Sequence, residues 1–368
     1  MPIRRKNSSP CLLQYQLRSC DERADRLKRI SDAIDWEKVE NILSVLKRGC
    51  DATGRPSYDA LTLFKGIFLQ NLYGFSDEEL EFAIADRISL QKFLNIGPLD
   101  KLPDATTFCR FRNSLIHFDL ANKVHEEILR QMEEKGLELK NGISVDATVI
   151  ASARRPRKTI ENPVQDRNEP DLKENASEEP AAENAAQKNS VGEPAQSPSS
   201  QDQVKITYSD DPDAAWTIKW GQPIYGHKAH IGADPVSEII LAGHVTPANR
   251  SDMNELQKIL EKVKGKVTGM CRADKGYSSA ANREIVKKHG LDDGIMEKAI
   301  KNRPLTESQK ERNRKISSVR SGIERIFGTL KRTFKLNRFK YIGLEKVNQE
   351  FMLKVIAYNL MKLSRLYA

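Results

Sequence analysis

Three carboxylates in contrasting surroundings, Asp146, Asp274 and Glu324, are the residues of this chain best suited to chemistry. Asp146 ends the apolar run Gly142-Ile143-Ser144-Val145, Asp274 follows Cys271-Arg272-Ala273, and Glu324 lies in a basic stretch between Arg320 and Lys331. Three acids gathered by a fold hold two divalent cations about 3.5–4 Å apart, a pair that activates water or a 3′-hydroxyl and stabilises the leaving oxygen of a phosphodiester. The lysines and arginines around Glu324 add affinity for a polyanion. Acids for metal beside bases for phosphate point to cutting and joining of DNA.

Each acid has a plainer reading. A lone Asp at a strand end is commonly a cap or turn residue, and Asp274, followed by Gly276 and Tyr277, reads equally as a helix N-cap. Glu324 is the sharpest of the three. At 100° per residue, Arg320, Glu324 and Lys331 fall within roughly 40° of one another around a helix, beside an apolar stripe of Ile323, Phe327, Leu330 and Phe334. Its plainer reading is an i,i+4 ion pair with Arg320, worth a few tenths of a kcal/mol. The two are compatible, since a carboxylate beside cations stays ionised and ready for metal.

The elements that must position these acids can be read from the pattern. Residues 36–136 are expected to form a helical domain with a possible role in DNA-end binding, after an N-terminal arm of residues 1–35. Within it, Tyr58 to Leu69 has helical spacing and stops near Gly74, and Ser76 with Glu79 forms a capping box for the helix from Asp77 to Asp86. A turn around Gly97-Pro98 and a helix from Asp104 carrying Arg110, Arg112 and Asn113 away from Phe108, Phe111 and Leu115 suggest a helix-turn-helix reader, with Arg110 and Arg112 as DNA contacts. A plain helical bundle with surface arginines fits the same pattern.

Residues 137–340 form the expected catalytic domain. Gly142 to Ile150 reads as a buried strand ending its apolar run at Asp146. Residues 154–205, rich in Glu, Ala, Asn, Pro and Ser, bury too little apolar surface to offset ordering entropy and are expected to be a disordered insertion. Strands follow at Tyr225 to Gly232 and Ser237 to Val245, then a helix from Asp252 to Val263. A strand from Lys266 to Ala273 delivers Asp274, and a helix from Ser279 to His289 closes at Gly290. After a last strand at Gly294 to Met296, helices run from Ile316 to Lys335 and from Leu344 to Leu366. The second of these makes residues 341–368 a C-terminal helix packed on the catalytic domain. Strands first, then strands alternating with helices, give a mixed α/β sheet with flanking helices.

Bulk properties agree. The chain has 368 residues, enough for two or three domains, with 39% hydrophobic and 30% charged residues. No run of about 18 apolar residues is present to span a membrane, and the opening Met-Pro-Ile-Arg-Arg-Lys is not expected to be a secretory signal. Cys11, Cys20, Cys50, Cys109 and Cys271 are scattered, with no C-x-x-C pair, so free thiols in a reducing cytoplasm are expected and a zinc site is not. From Glu297 to the end there are 18 Lys or Arg against 6 Asp or Glu, an excess larger than the whole chain's +9. Interleaved with Phe327, Phe334, Phe339 and Tyr341, this basic region favours nucleic acid over a merely solvated surface.

These residues resemble a family. Gly54-Arg55-Pro56-x-Tyr58-Asp59, Leu72-Tyr73-Gly74 and Pro103-Asp104-Ala105-Thr106-Thr107-Phe108 lie in the helical region. Val145-Asp146-Ala147-Thr148, Tyr225-Gly226-His227-Lys228-Ala229-His230, Thr246-Pro247-Ala248-Asn249-x-x-Asp252 and Asp274-Lys275-Gly276-Tyr277 follow, and then Arg320-x-x-x-Glu324-x-x-x-x-x-x-Lys331. Together they resemble bacterial insertion-sequence transposases of the DDE class, specifically the insertion-sequence-five group. The resemblance implies a ribonuclease-H-like fold after an all-helical N-terminal domain, with Asp146, Asp274 and Glu324 as catalytic, metal-binding acids. It implies two Mg²⁺ ions, which Mn²⁺ can replace, double-stranded DNA of transposon ends and target as partner, and a homodimer in the working complex. A cytoplasmic protein, associated with the nucleoid when on DNA, is implied too.

Arg320 and Lys331 match the family's basic partners of the Glu and are expected to touch phosphate, with Arg325, Arg332 and Lys228 as further DNA contacts. The related signature places Tyr three residues before Arg320, where this chain has Ser317; that position is not a metal ligand. Asp252 competes for the second acid's place, but Asn249 and Ser251 make it read as a helix start. His227 and His230 flank Lys228 on a strand, where histidine is more often structural. Two rival functions remain at this level: a DNA-binding regulator without catalysis, and a ribonuclease-H-like host nuclease that cuts without joining.

Overall fold

The described residues before Glu134 are helical because their apolar residues recur at helical spacing between strong caps. The computed structural model describes residues 26–47, 58–97, 100–139, 141–156, 210–219, 221–300 and 303–366. The insertion expected at residues 154–205 lies outside these apart from 154–156, as does the expected N-terminal arm before residue 26. Helices α1 (Arg26–Ala33), α2 (Trp36–Leu43), α3 (Ala60–Tyr73), α4 (Asp77–Asp86), α5 (Ile88–Leu94), α6 (Ala105–His117) and α7 (Leu120–Glu134) precede the sheet.

Capping explains where they start. Asp59 accepts from the Thr62 amide, Asp104 from the Thr107 amide, and Ser76 with Glu79 makes the expected capping box. Gly74, at φ 72°, closes α3 in the left-handed conformation that glycine adopts without strain. Trp36, Phe68 and Phe93 meet edge-to-face or tilted with ring centroids 5.7–6.3 Å apart, joining α2, α3 and α5.

The sheet has six strands: β1 (Asn141–Ala151), β2 (Ala215–Lys219), β3 (Gln222–Ala233), β4 (Ile240–Pro247), β5 (Thr268–Ala273) and β6 (Asp292–Ile295). Its order is β2-β3-β1-β5-β6, with β4 also paired to β3. β1 is antiparallel to β3 and parallel to β5, and β5 is parallel to β6. Helices α8 (Leu256–Lys262) and α9 (Ala280–Lys288) make the crossovers, and α10 (Glu307–Arg332) and α11 (Leu344–Leu366) follow the last strand. The mixed sheet with flanking helices expected of the sequence is the one formed, after the expected helical region.

Two helices tie the sheet to the rest. Phe351 of α11 fills the space left by Gly243 of β4, where a Cβ would lie 2.7 Å from its ring. Asn359 exchanges hydrogen bonds with the Ile240 backbone, accepting at 3.0 Å and donating at 2.8 Å, and His125 of α7 sits 3.0 Å from the same carbonyl. α11 also packs on α1, α3 and α7, so one continuous apolar core runs from the helical region beneath the sheet.

Candidate active site

The geometry of the acids begins with a change of partner along β1. Its parallel ladder with β5 ends at Val145 opposite Ala273. The next residues, Asp146 and Asp274, therefore emerge side by side where the parallel pairing stops. β1 itself continues, paired with β3, as far as Ala151. Asp146 is thus in mid-strand, where its apolar run ends, inside the strand expected from Gly142 to Ile150; the local pattern carries no trace of where the partner strand ends. Asp274 does end its strand, and its carbonyl accepts from the Tyr277 amide at 2.9 Å in a short turn.

Glu324 comes from α10, which is longer than expected. A capping box of Thr306 and Gln309 starts it well before Ile316. Its first turns have almost no apolar stripe and are fixed by polar contacts instead. Arg312 donates to the carbonyls of Asp293 (2.7 Å) and Ile295 (2.9 Å), while Asn313 exchanges hydrogen bonds with the Glu297 backbone at 2.8 and 3.0 Å. These contacts anchor α10 to the end of β6. Ile323, Ile326, Phe327 and Leu330 are then buried, which turns residue 324 outward. Glu324 is 68% exposed.

Arg320 links the acids. Its Nη1 donates to Asp146 Oδ2 at 2.7 Å, and its Nη2 lies 3.7 Å from Glu324 Oε1. Asp146 is three-quarters buried. Burial raises its pKa above the ordinary carboxylate value, and the neighbouring Asp274 adds to the rise; the Arg320 guanidinium and the Ala147 amide oppose it. Asp146 therefore demands a positive neighbour, and Arg320 is that neighbour here. Lys331, about three turns further along the same helix face, donates to Thr148 Oγ1 at 2.8 Å, and burial lowers its pKa.

Asp252, the rival second acid, forms an ion pair with Lys228 Nζ at 2.9 Å. Lys228 also donates to the Arg250 carbonyl at 2.7 Å, so the expected DNA contact is engaged in neutralising Asp252. Asp252, Asp146 and Asp274 all act on the buried Tyr277 hydroxyl, whose pKa burial has already raised well above its ordinary value. The carboxylates of the sheet thus converge on one end of β1 and β5, and among the described residues no lysine pairs with Asp274 as Lys228 does with Asp252. His227 is buried against Asp211 at 2.8 Å and His230 against Thr246 at 2.9 Å, which makes both structural.

The donor set suits a hard divalent cation, since carboxylate oxygens are its preferred ligands. Among the described residues, no three acids, histidines or cysteines are gathered into a finished metal cage. Asp146 and Asp274 are in place, while Glu324, on the exposed side of α10, has its side chain turned toward solvent and Arg320. The residues fit such a cation once Arg320 yields Asp146 and Glu324 turns inward.

The basic candidates separate into two groups. Arg332 and Arg110 are exposed. Arg325 is exposed but bonded to Glu238 at 2.8 Å. Arg112 is not a surface residue: its guanidinium pairs with Asp77, donates to Gln70 Oε1 at 3.2 Å and lies 4.8 Å over the Tyr341 ring. Only 8% of its side chain is exposed. The expected DNA contact at Arg112 is corrected to a buried ion pair, because Asp77, 35 residues away in sequence, supplies a charge that helical spacing cannot predict. The helix-turn-helix expectation changes with it, since residues 95–104 separate α5 from α6 where that motif uses a turn of about 3–4 residues.

Comparison with known proteins identifies the family. The family model described as "Transposase DDE domain" matches residues 139–360, and "Transposase domain (DUF772)" matches residues 15–114. The "Transposase for insertion sequence element IS1106" of Neisseria meningitidis serogroup B is 37% identical over 258 residues, 69% of this chain and 77% of that protein. A chain in a crystal structure of a pre-cleavage Mos1 transpososome aligns over 90% of this chain and 86% of its own length, at 10% identity and a TM-score of 0.20, a likeness too slight to carry any argument.

Proposed function

The chain belongs to the DDE transposases of insertion sequences, and we propose that it binds the terminal inverted repeats of its element and catalyses metal-dependent cleavage and transfer of DNA strands. One observation supports this reading most: Asp146 and Asp274 leave the last rung of a parallel strand pair together, and α10 lays Arg320 against Asp146 with Glu324 one turn further along the same helix.

In this reading Asp146, Asp274 and Glu324 would hold two Mg²⁺ ions, whose chemistry there would be to acidify a water or a 3′-hydroxyl and to neutralise charge on the leaving oxygen. The protein's own groups do the rest. Burial disfavours a lone charge on Asp146, and Arg320 balances that charge until a cation takes its place. When Arg320 releases Asp146, its guanidinium is positioned to grip a phosphate oxygen by paired N–H donors. Lys331, held by Thr148, and the exposed Arg332 extend that grip along the DNA backbone. Positioning the attacking oxygen in line with the scissile phosphate then carries the reaction, with no covalent enzyme intermediate. Two DNA ends must be paired, which calls for a homodimer in the working complex.

Strand transfer is the discriminating experiment. Protein incubated with Mg²⁺, a duplex bearing the element's terminal repeats and a target plasmid is expected to nick the repeat end and join its 3′-hydroxyl to the plasmid. Cutting without joining would favour a nuclease of the same fold, and binding without cutting a regulator.

A further inference from the structure

The β2–β3 hairpin carries an exposed apolar edge that nothing in the active site uses. Ile218 is 76% exposed and Trp216 is 49% exposed, and both lie on the five-residue edge strand β2. Their direction follows from the register. Residues directly paired across an antiparallel ladder point to the same face, as do residues an even number apart on one strand. Asp146 pairs with Ile231, Trp216 with Tyr225 and Ile218 with Pro223. Ile231, Tyr225 and Pro223 are separated by even steps along β3. Trp216 and Ile218 therefore stand on the face of the sheet that carries Asp146.

The space between is basic. Thr148, on that same face, holds Lys331. Lys219 at the hairpin's end is near enough to lower the Lys331 pKa. Ala151, at the end of β1, forms a bridge with the exposed Arg338, and Arg332 is exposed at the end of α10. The apolar edge is also firmly backed. Trp216 rests on Tyr225 with ring centroids 5.2 Å apart, and the Tyr225 hydroxyl donates to the Asp211 carbonyl at 2.7 Å.

We infer that this edge is a DNA wedge: Ile218 enters a base step of the duplex whose backbone lies along Lys219, Lys331 and Arg332, and Trp216 stacks on the base so exposed. Aliphatic residues inserted between base pairs unstack and kink DNA, and aromatic faces hold unstacked bases irrespective of sequence. A second copy of the chain is a poorer occupant. Two side chains offer a small fraction of the roughly 800 Å² per partner that a stable protein interface buries, and their surroundings are charged alike. The effect is to distort the strand next to the phosphate presented to Asp146, Asp274 and Glu324. The inference rests on the DNA-transfer function proposed above.

The test uses the full chain and a duplex containing the DNA that flanks its coding sequence, with 2-aminopurine placed in turn at each position near the element's end, and no divalent metal. Wild-type protein is expected to raise the fluorescence several-fold at one step. Trp216→Ala and Ile218→Ala, both at exposed positions, are expected to lose that rise and to bind about tenfold more weakly. Val236→Ala, an equally exposed apolar position on the β3–β4 turn, is expected to change neither. Variants that unstack and bind DNA like the wild type would overturn the inference while leaving transposition standing, provided that the wild type still cuts with Mg²⁺. Conversion of a dimer into a monomer by either substitution, with unstacking unchanged, would assign the edge to a second copy. A wild type that neither binds nor cuts would overturn the inference together with the function beneath it.

Discussion

Replacing Arg112 by Ala separates its structural role from the DNA contact that its sequence suggests. The guanidinium donates to both oxygens of Asp77 and to Gln70 Oε1, covers the Tyr341 ring and is almost wholly buried. Removing one partner of a buried pair costs about 3–5 kcal/mol, because the other charge is left unpaired. Asp77 retains 26% exposure, so water recovers part of that charge and the lower figure, about 3 kcal/mol, applies. Urea unfolding followed by circular dichroism should show the midpoint falling with an unchanged slope. DNA binding by the folded variant, measured from 50 to 200 mM salt, should keep the wild-type salt dependence. A phosphate contact would behave in the opposite way: stability within about 0.5 kcal/mol, and a salt slope reduced by about one. That outcome would refute the burial argument.

Acid should destabilise the fold before the surface carboxylates titrate. Burial lowers the pKa of His125 to about 4 and of His230 to about 3, against an unfolded value of 6.5. The folded state thus binds fewer protons, so this stability is complete above pH 6.5 and is lost as pH falls toward the folded values. At pH 5 each histidine accounts for about 2 kcal/mol of loss, and the lowered pKa values of Asp211, Glu238 and Glu255 act in the same direction at lower pH. A urea midpoint that stays flat from pH 7.5 to 5 would contradict this. Gly226→Ala should abolish soluble expression or cost more than about 3 kcal/mol, since its Cβ would lie 2.1 Å from the Ile150 carbonyl oxygen of the paired strand. Gly221→Ala, at φ +74° in an open turn, should cost only about 1 kcal/mol, and thermal melting distinguishes the two.

Much of this architecture was legible because it is local. The capping box of Ser76 and Glu79, the strand delivering Asp274 and the helix from Leu344 to Leu366 follow from residue types a few positions apart. What stayed hidden depends on partners distant in sequence. The strand through Asp146 is legible, but not that β5 stops beside Val145 while β3 stays paired with β1 as far as Ala151. Arg112 looks like a surface residue until Asp77 and Tyr341 close over it. The early start of α10 rests on Thr306 and Gln309 and on polar contacts to β6, with no apolar periodicity to show it. Strand β2 is five residues long and follows a low-complexity stretch, so its alternation is too brief to read.

The central claim, that Asp146, Asp274 and Glu324 form one catalytic set and Asp252 lies outside it, is tested most directly by cleavage of terminal-repeat DNA in Mg²⁺ by four single variants. Asp146→Asn, Asp274→Asn and Glu324→Gln should each reduce strand cleavage by at least about a thousandfold while leaving end binding largely intact. Asp252→Asn, which breaks only the Lys228 pair, should cut at a rate within about tenfold of the wild type. Normal cleavage by Glu324→Gln, or complete loss in Asp252→Asn with Asp274→Asn still active, would contradict the assignment.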